Sequence, residues 1–199
     1  MKQPSLILAA TMAALAVQFP AAAQQQTTRL RGTIEAVEGP VLTVGTGEAG
    51  PVRLTVAEGA QVFGVVKASL ADVKPNAYVG VGAMPQPDGS QKALQVMIFA
   101  ESMRGLGDGF RPWTQPGSTM TNGAVDTTVA GVDGQVLTVK YKGGEKKIVI
   151  TPETVIRAYV PADRSELKPG AAISAFATKK PDGSFETARI NVGRDGVAP

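Results

Sequence analysis

Val37-Glu38-Gly39-Pro40-Val41-Leu42-Thr43-Val44 recurs as Val132-Asp133-Gly134-Gln135-Val136-Leu137-Thr138-Val139, 95 positions later in a chain of 199 residues. Val73-Lys74-Pro75 has its like in Leu167-Lys168-Pro169, and Pro87-Asp88-Gly89-Ser90 returns as Pro181-Asp182-Gly183-Ser184, both 94 positions on. Three anchors in one order and at one spacing read as two copies of a single unit. The first copy is expected from about Thr28 to Glu101 and the second from about Val125 to Val192. The corresponding domains are 24–101 and 125–199, with a connector over 102–124.

Inside each copy the apolar period is two. Leu42 and Val44 flank Thr43, Leu54 and Val56 flank Thr55, and Ala188, Ile190 and Val192 alternate with Arg189 and Asn191. Such alternation marks strands with one buried face. The spacing predicts about six strands per copy, over 30–37, 41–46, 52–56, 61–67, 77–86 and 91–99, with equivalents about 94 residues later. Gly39 and Gly134 fall between apolar runs as hairpin turns. Pro-Asp-Gly at 87–89 and 181–183 supplies the residues a tight turn requires, with Gly taking the positive φ. Leu70 to Val73 and Ser165 to Leu167 each precede Lys-Pro and read as one helical turn, which the proline ends. A unit of about 70 residues buries only about 60% of its unfolded surface and is marginal alone. Rolling each sheet into a small barrel removes its exposed edges, and packing the two copies together adds further burial.

Composition narrows the chemistry. There are 20 Lys and Arg against 17 Asp and Glu, no His and no Cys. Without His or Cys there is no imidazole base, thiolate nucleophile, disulfide or thiolate metal site. No P-loop or calcium-loop spacing offers a substitute, and Asp88-Gly89 and Asp182-Gly183 read as turns. We therefore assign no catalytic residue, no metal and no cofactor, and expect a non-enzymatic protein. A net charge of +3 is too mild to suggest a polyanion-binding field, and nucleic acid is not an expected partner.

The N-terminus reads as an export signal. Lys2 precedes an apolar run from Leu6 to Val17, and Ala21-Ala22-Ala23 ends it before Gln24. This is the pattern of a cleaved secretory signal over 1–23, with cleavage near Ala23/Gln24 and a periplasmic destination. The run is too short for a membrane span, and none is expected in the mature chain.

The connector is unlike an ordinary linker, because it holds the only tryptophan, Trp113, with Phe110, Arg104 and Arg111. Leaving such rings in water forfeits about 1.5–3 kcal/mol each, so a docked loop is expected. Two readings follow. In one the loop staples the lobes together. In the other it binds a small ligand or a periplasmic protein partner, with Arg104, Phe110, Arg111 and Trp113 above Gly80 and Gly82. Those glycines alternate with Val79 and Val81, so the backbone there is open to close approach.

Gly-Thr-Ile-Glu-x-Val, Val-Leu-Thr-Val, Leu-x-Asp-Val-Lys-Pro and Pro-Asp-Gly-Ser together resemble a family of exported bacterial domains of unknown function. The chain is also similar to alphaproteobacterial hypothetical proteins, some of them labelled metal transporter permease, a label at odds with a chain lacking membrane spans. The resemblance implies an all-β fold of two tandem small OB-like barrels joined by the aromatic connector. Its motifs mark turns and core strands, not a site. By fold analogy it also implies an alternative function, as a saccharide- or oligonucleotide-binding module or an accessory component of a transport system.

Overall fold

The computed structural model describes residues 27–47, 50–131 and 134–199, so the signal reading at 1–23 lies outside the described residues. The strands are β1 (Thr27–Glu38), β2 (Val41–Gly45), β3 (Pro51–Lys67), β4 (Tyr78–Pro85), β5 (Gln91–Ile98) and β6 (Gly109–Pro112), then β7 (Thr119–Gly131), β8 (Gly134–Tyr141), β9 (Gly144–Ile150), β10 (Val155–Pro161), β11 (Ala172–Lys179) and β12 (Phe185–Gly193). One-turn 3-10 helices occupy Leu70–Asp72 and Arg164–Glu166, where the sequence places helical turns, and a third lies at Glu101–Met103. The turns follow their chemistry. Asp88 Oδ1 accepts the Ser90 amide at 2.9 Å and its hydroxyl at 2.7 Å, while Gly89 takes φ 83°. Asp182, Ser184 and Gly183 repeat the arrangement.

The fold is all-β, and its pairings close into rings. β1, β2 and β3 form an antiparallel meander; β3 then pairs in parallel with β12, β12 with β11, and β11 back with β1. A second ring runs β7, β8, β9, then in parallel to β5, and through β4 back to β7. Each ring surrounds its own core. Leu42, Val44, Leu54 and Val56 meet Ile173, Ala175 and Ile190 in the first. Val79, Val81 and Val96 meet Leu137, Val139, Ile148 and Ile150 in the second.

The domains at 24–101 and 125–199 are therefore corrected. Each ring takes three strands from one half of the chain and two from the other. The cause is β3, whose 17 residues span roughly 55 Å at about 3.3 Å per residue, too far to turn back within one small barrel. Its last residues, Phe63 to Lys67, pair along one edge with β10, while Phe63 to Val65 still hold β12 of the first ring on the other. The short turn that follows buries Val73 in the second core and delivers the chain to β4 there. The second half makes the reciprocal crossing through β10, and Leu167 is buried in the first core.

Strand boundaries differ from expectation in two instructive places. The runs at 52–56 and 61–67 are one strand, because Gly59 at φ 71° absorbs a bulge that in the second half becomes a break. That break, Thr151 to Thr154, contains Pro152, which has no amide to donate. The octapeptide match also needs a shift. Val41–Val44 and Val136–Val139 hold equivalent places, but Val37 corresponds by pairing to Thr128, since β7 continues to Gly131; Val132 and Asp133 lie outside the described residues. Gly134 is the first residue of β8, paired with Gly131.

Pairings in one ring recur in the other. Ser174 opposite Asn191 matches Gly80 opposite Met97, and Gln61 opposite Arg189 matches Val155 opposite Gln95. β3 and β10, which are each other's counterparts, pair antiparallel with Val65 opposite Tyr159. A pseudo-twofold axis passes through that seam.

Candidate binding site

The connector docks on the second barrel as the strand β6, paired with β7 so that Phe110 faces Thr121 and Arg111 faces Met120. Trp113 donates its amide to the Ser118 carbonyl at 2.9 Å and lays its indole on Gly82. A Cβ on Gly82 would lie 2.5 Å from the ring; one on Gly80 would lie 2.8 Å from Phe99. The missing side chains on β4 are the seats of these two rings.

The six sequence-predicted site residues do not form one binding surface. Arg104 donates to both Glu101 oxygens, at 2.5 and 2.8 Å, and to the Asn76 carbonyl at 2.9 Å, with its guanidinium 5.9 Å from the Tyr78 ring centre. Arg111 donates to the Gly107 carbonyl at 2.8 Å. Phe110 turns to the opposite side, stacked on Tyr141 at 6.3 Å with Lys146 Nζ 4.5 Å from its ring centre. Arg104 is thus tied to Glu101 and to the turn before β4, and Arg111 to the connector's own backbone. Asp108 adds a clasp, accepting the Lys142 amide at 2.6 Å and the Tyr78 hydroxyl at 3.3 Å. Desolvation first, then Asp108, pushes the Tyr78 pKa up to about 12.

A different constellation gathers at the seam. Phe63, Tyr159, Phe99 and Tyr78 form an edge-to-face ladder across it, with ring centres 5.4 to 6.3 Å apart. Pairing register puts Arg29 beside Phe176, Arg31 beside Ser174, Ser174 beside Asn191, and Arg157 two residues from Tyr159 along β10. Arg29, Arg189, Arg31 and Arg157 all act electrostatically on Tyr159, opposing the burial that raises its pKa. Arg29 is itself lowered, by desolvation and then by Arg31. Among the described residues none of these four arginines forms an ion pair with a carboxylate. The Nε of Arg189 and the Oδ1 of Asn191 are buried without a protein partner, while Asn191 Nδ2 donates to Ser174 Oγ at 3.3 Å. Phe176, 66% exposed, lies beneath Arg29 at 5.8 Å.

Register also identifies the counterparts on the second barrel. Arg29 corresponds to Met120, Arg31 to Asn122, Arg157 to Phe63 and Arg189 to Gln95. Phe176 corresponds to Gly82, the seat of Trp113. Sequence reasoning missed this group. Its only local signal is Arg29-Leu30-Arg31, in which the buried Leu30 turns both arginines to the outer face.

No cluster of three or more carboxylates suited to a metal is present among the described residues. Nor, among them, is any helix long and apolar enough to cross a membrane. Comparison with protein-family models, with curated proteins and with solved structures found no match.

Proposed function

We propose that this chain is an exported, non-enzymatic binding protein, a duplicated pair of OB-like barrels with exchanged strands, that holds an anionic ligand at the seam between them. The observation that carries this reading is the set of four arginines around Tyr159 with no carboxylate to neutralise them. Like charges held near one another cost free energy, Arg29 being partly desolvated besides, and a bound carboxylate or phosphate relieves it through bidentate hydrogen bonds. The aromatic ladder and Phe176 give a ring-bearing ligand a surface to stack on. The connector belongs to the scaffold in this reading: it covers Gly82 and braces the second barrel, with Arg104 paired to Glu101 and Arg111 bonded to the Gly107 carbonyl. Periplasmic residence follows from the signal pattern at 1–23.

The experiment is retention on immobilised heparin as a generic polyanion. Arg29→Met, Arg31→Asn and Arg189→Gln together install the side chains of the opposite barrel and are expected to move elution to markedly lower salt. A control removing the same charge at Lys142, Lys146 and Lys147 is expected to move it little. Equal shifts from both sets would reduce the reading to net charge and defeat it. Blue-shifted Trp113 emission that persists in the triple variant would show that its fold is intact.

A further inference from the structure

We infer that the outer edge of β1, from Thr27 to Gly32, is a docking site for an extended acidic segment of a partner protein, which adds to the first barrel as a strand. It shares Arg29 and Arg31 with the proposed anion site, but the docking itself is backbone pairing at the strand's edge, which amide exchange and the proline peptide test apart from charge.

Its basis is the comparison of β1 with β7. In the second barrel β4 pairs with one edge of β7 along Thr119–Ala124, β8 takes the other edge from Ala124 onward, and β6 fills what remains beside Met120–Asn122. In the first barrel β11 pairs with one edge of β1 along Thr27–Thr33, and β2 takes the other from Thr33 onward. The length beside Arg29–Arg31, where register would place a β6, has no strand against it among the described residues. A row of amides and carbonyls is left there in extended geometry, ready to accept a strand.

Charge selects the occupant. Arg29 and Arg31 stand two apart on the same face, so an incoming strand sets residues i and i+2 directly opposite them. A second copy pairing through its own β1 would bring arginine against arginine, which disfavours a dimer at this edge. Carboxylates at i and i+2 meet both guanidiniums. The carboxylates that form ion pairs, Glu101, Asp126, Glu166 and Glu186, are each held by cations other than Arg29 and Arg31.

The test uses the full chain with an acetylated octapeptide alternating Glu and Val. A control peptide of equal charge carries proline at two alternate positions and cannot form the ladder. We expect residue-resolved amide exchange across Thr28–Gly32 to slow at least tenfold with the first peptide and not with the second. Arg29→Glu with Arg31→Glu should weaken binding at least tenfold, with exchange in the β8–β9 hairpin reporting an intact fold. Equal binding of the proline peptide, or binding that leaves β1 exchange unchanged, would overturn the inference. So would an edge already protected in the free chain that becomes exposed when residues 1–26 are deleted, because the occupant would then be the chain itself. A peptide-independent dimer that protects the edge would also refute it.

Discussion

The two barrels share a pairing scheme and differ in what lies on it. On the second barrel the outer face carries Gly80, Gly82, Met120 and Asn122, and the chain folds its own connector over them. On the first the same positions are Ser174, Phe176, Arg29 and Arg31, with Arg189 and Arg157 close by. Glycine at 82 makes room for Trp113, whereas phenylalanine at 176 projects into solvent. One face is finished by intramolecular packing and the other is left charged and uncovered. A scaffold that repeats its pairing has thus specialised its surfaces, through single side chains on strands whose inward residues stay apolar.

The comparison is broken most completely by separating the halves. Because each barrel is completed by the other half's strands, residues 1–115 and 116–199 are each expected to be largely unfolded alone and to fold when mixed. Far-ultraviolet circular dichroism and co-elution on gel filtration measure this. A half that folds by itself as a stable monomer would show that strand exchange is not obligatory.

Next come the two cores. Leu54→Ala in the first and Ile148→Ala in the second each delete a fully buried side chain at equivalent positions, and each should cost about 2–5 kcal/mol. Urea unfolding is expected to remain one transition in both, since neither ring can melt without releasing strands of the other. Two resolved transitions would separate the barrels energetically.

Alkaline pH sharpens the contrast further. Tyr78 has Ala172 as its counterpart, so only the second barrel carries this group. Its pKa is raised above the unfolded value to about 12, so it binds its proton more tightly when folded. The resulting stability is fully present below pH 10 and is lost as pH climbs toward 12, by at most about 2–3 kcal/mol. Tyr78→Phe should flatten that part of the stability profile measured by urea titration.

The smallest effects are at the paired surface positions. Gly82→Ala forces a Cβ into the indole and should cost about 1–3 kcal/mol while shifting Trp113 emission to the red. Phe176→Ala removes an exposed ring and should cost less than about 0.5 kcal/mol. Equal costs would mean that Trp113 does not rest on Gly82.

Much of the local structure could be read from neighbours in the chain. Leu42, Val44, Leu54 and Val56 alternate, and all four are buried on one face. The Asp88 and Asp182 turns and the helical turns before Lys74 and Lys168 come from short-range hydrogen bonds and proline sterics. The glycine pair at 80 and 82 announced a close approach by its lack of side chains. The arginine group was hidden for a different reason: Arg29 and Arg31 read as ordinary outward residues, and nothing nearby in sequence brings Arg157 or Arg189 to them.

From the sequence alone came strands, turns and a recurring pattern, because these depend on residues a few positions apart. Tertiary structure alone decided which strands complete which ring, and therefore which four arginines act on Tyr159. The two halves present nearly interchangeable strand patterns, so local preference cannot choose between a strand's own partner and its counterpart. The length of β3, the break at Pro152 and the short turns after β3 and β10 settle the choice, by carrying each half across the seam before its last two strands begin.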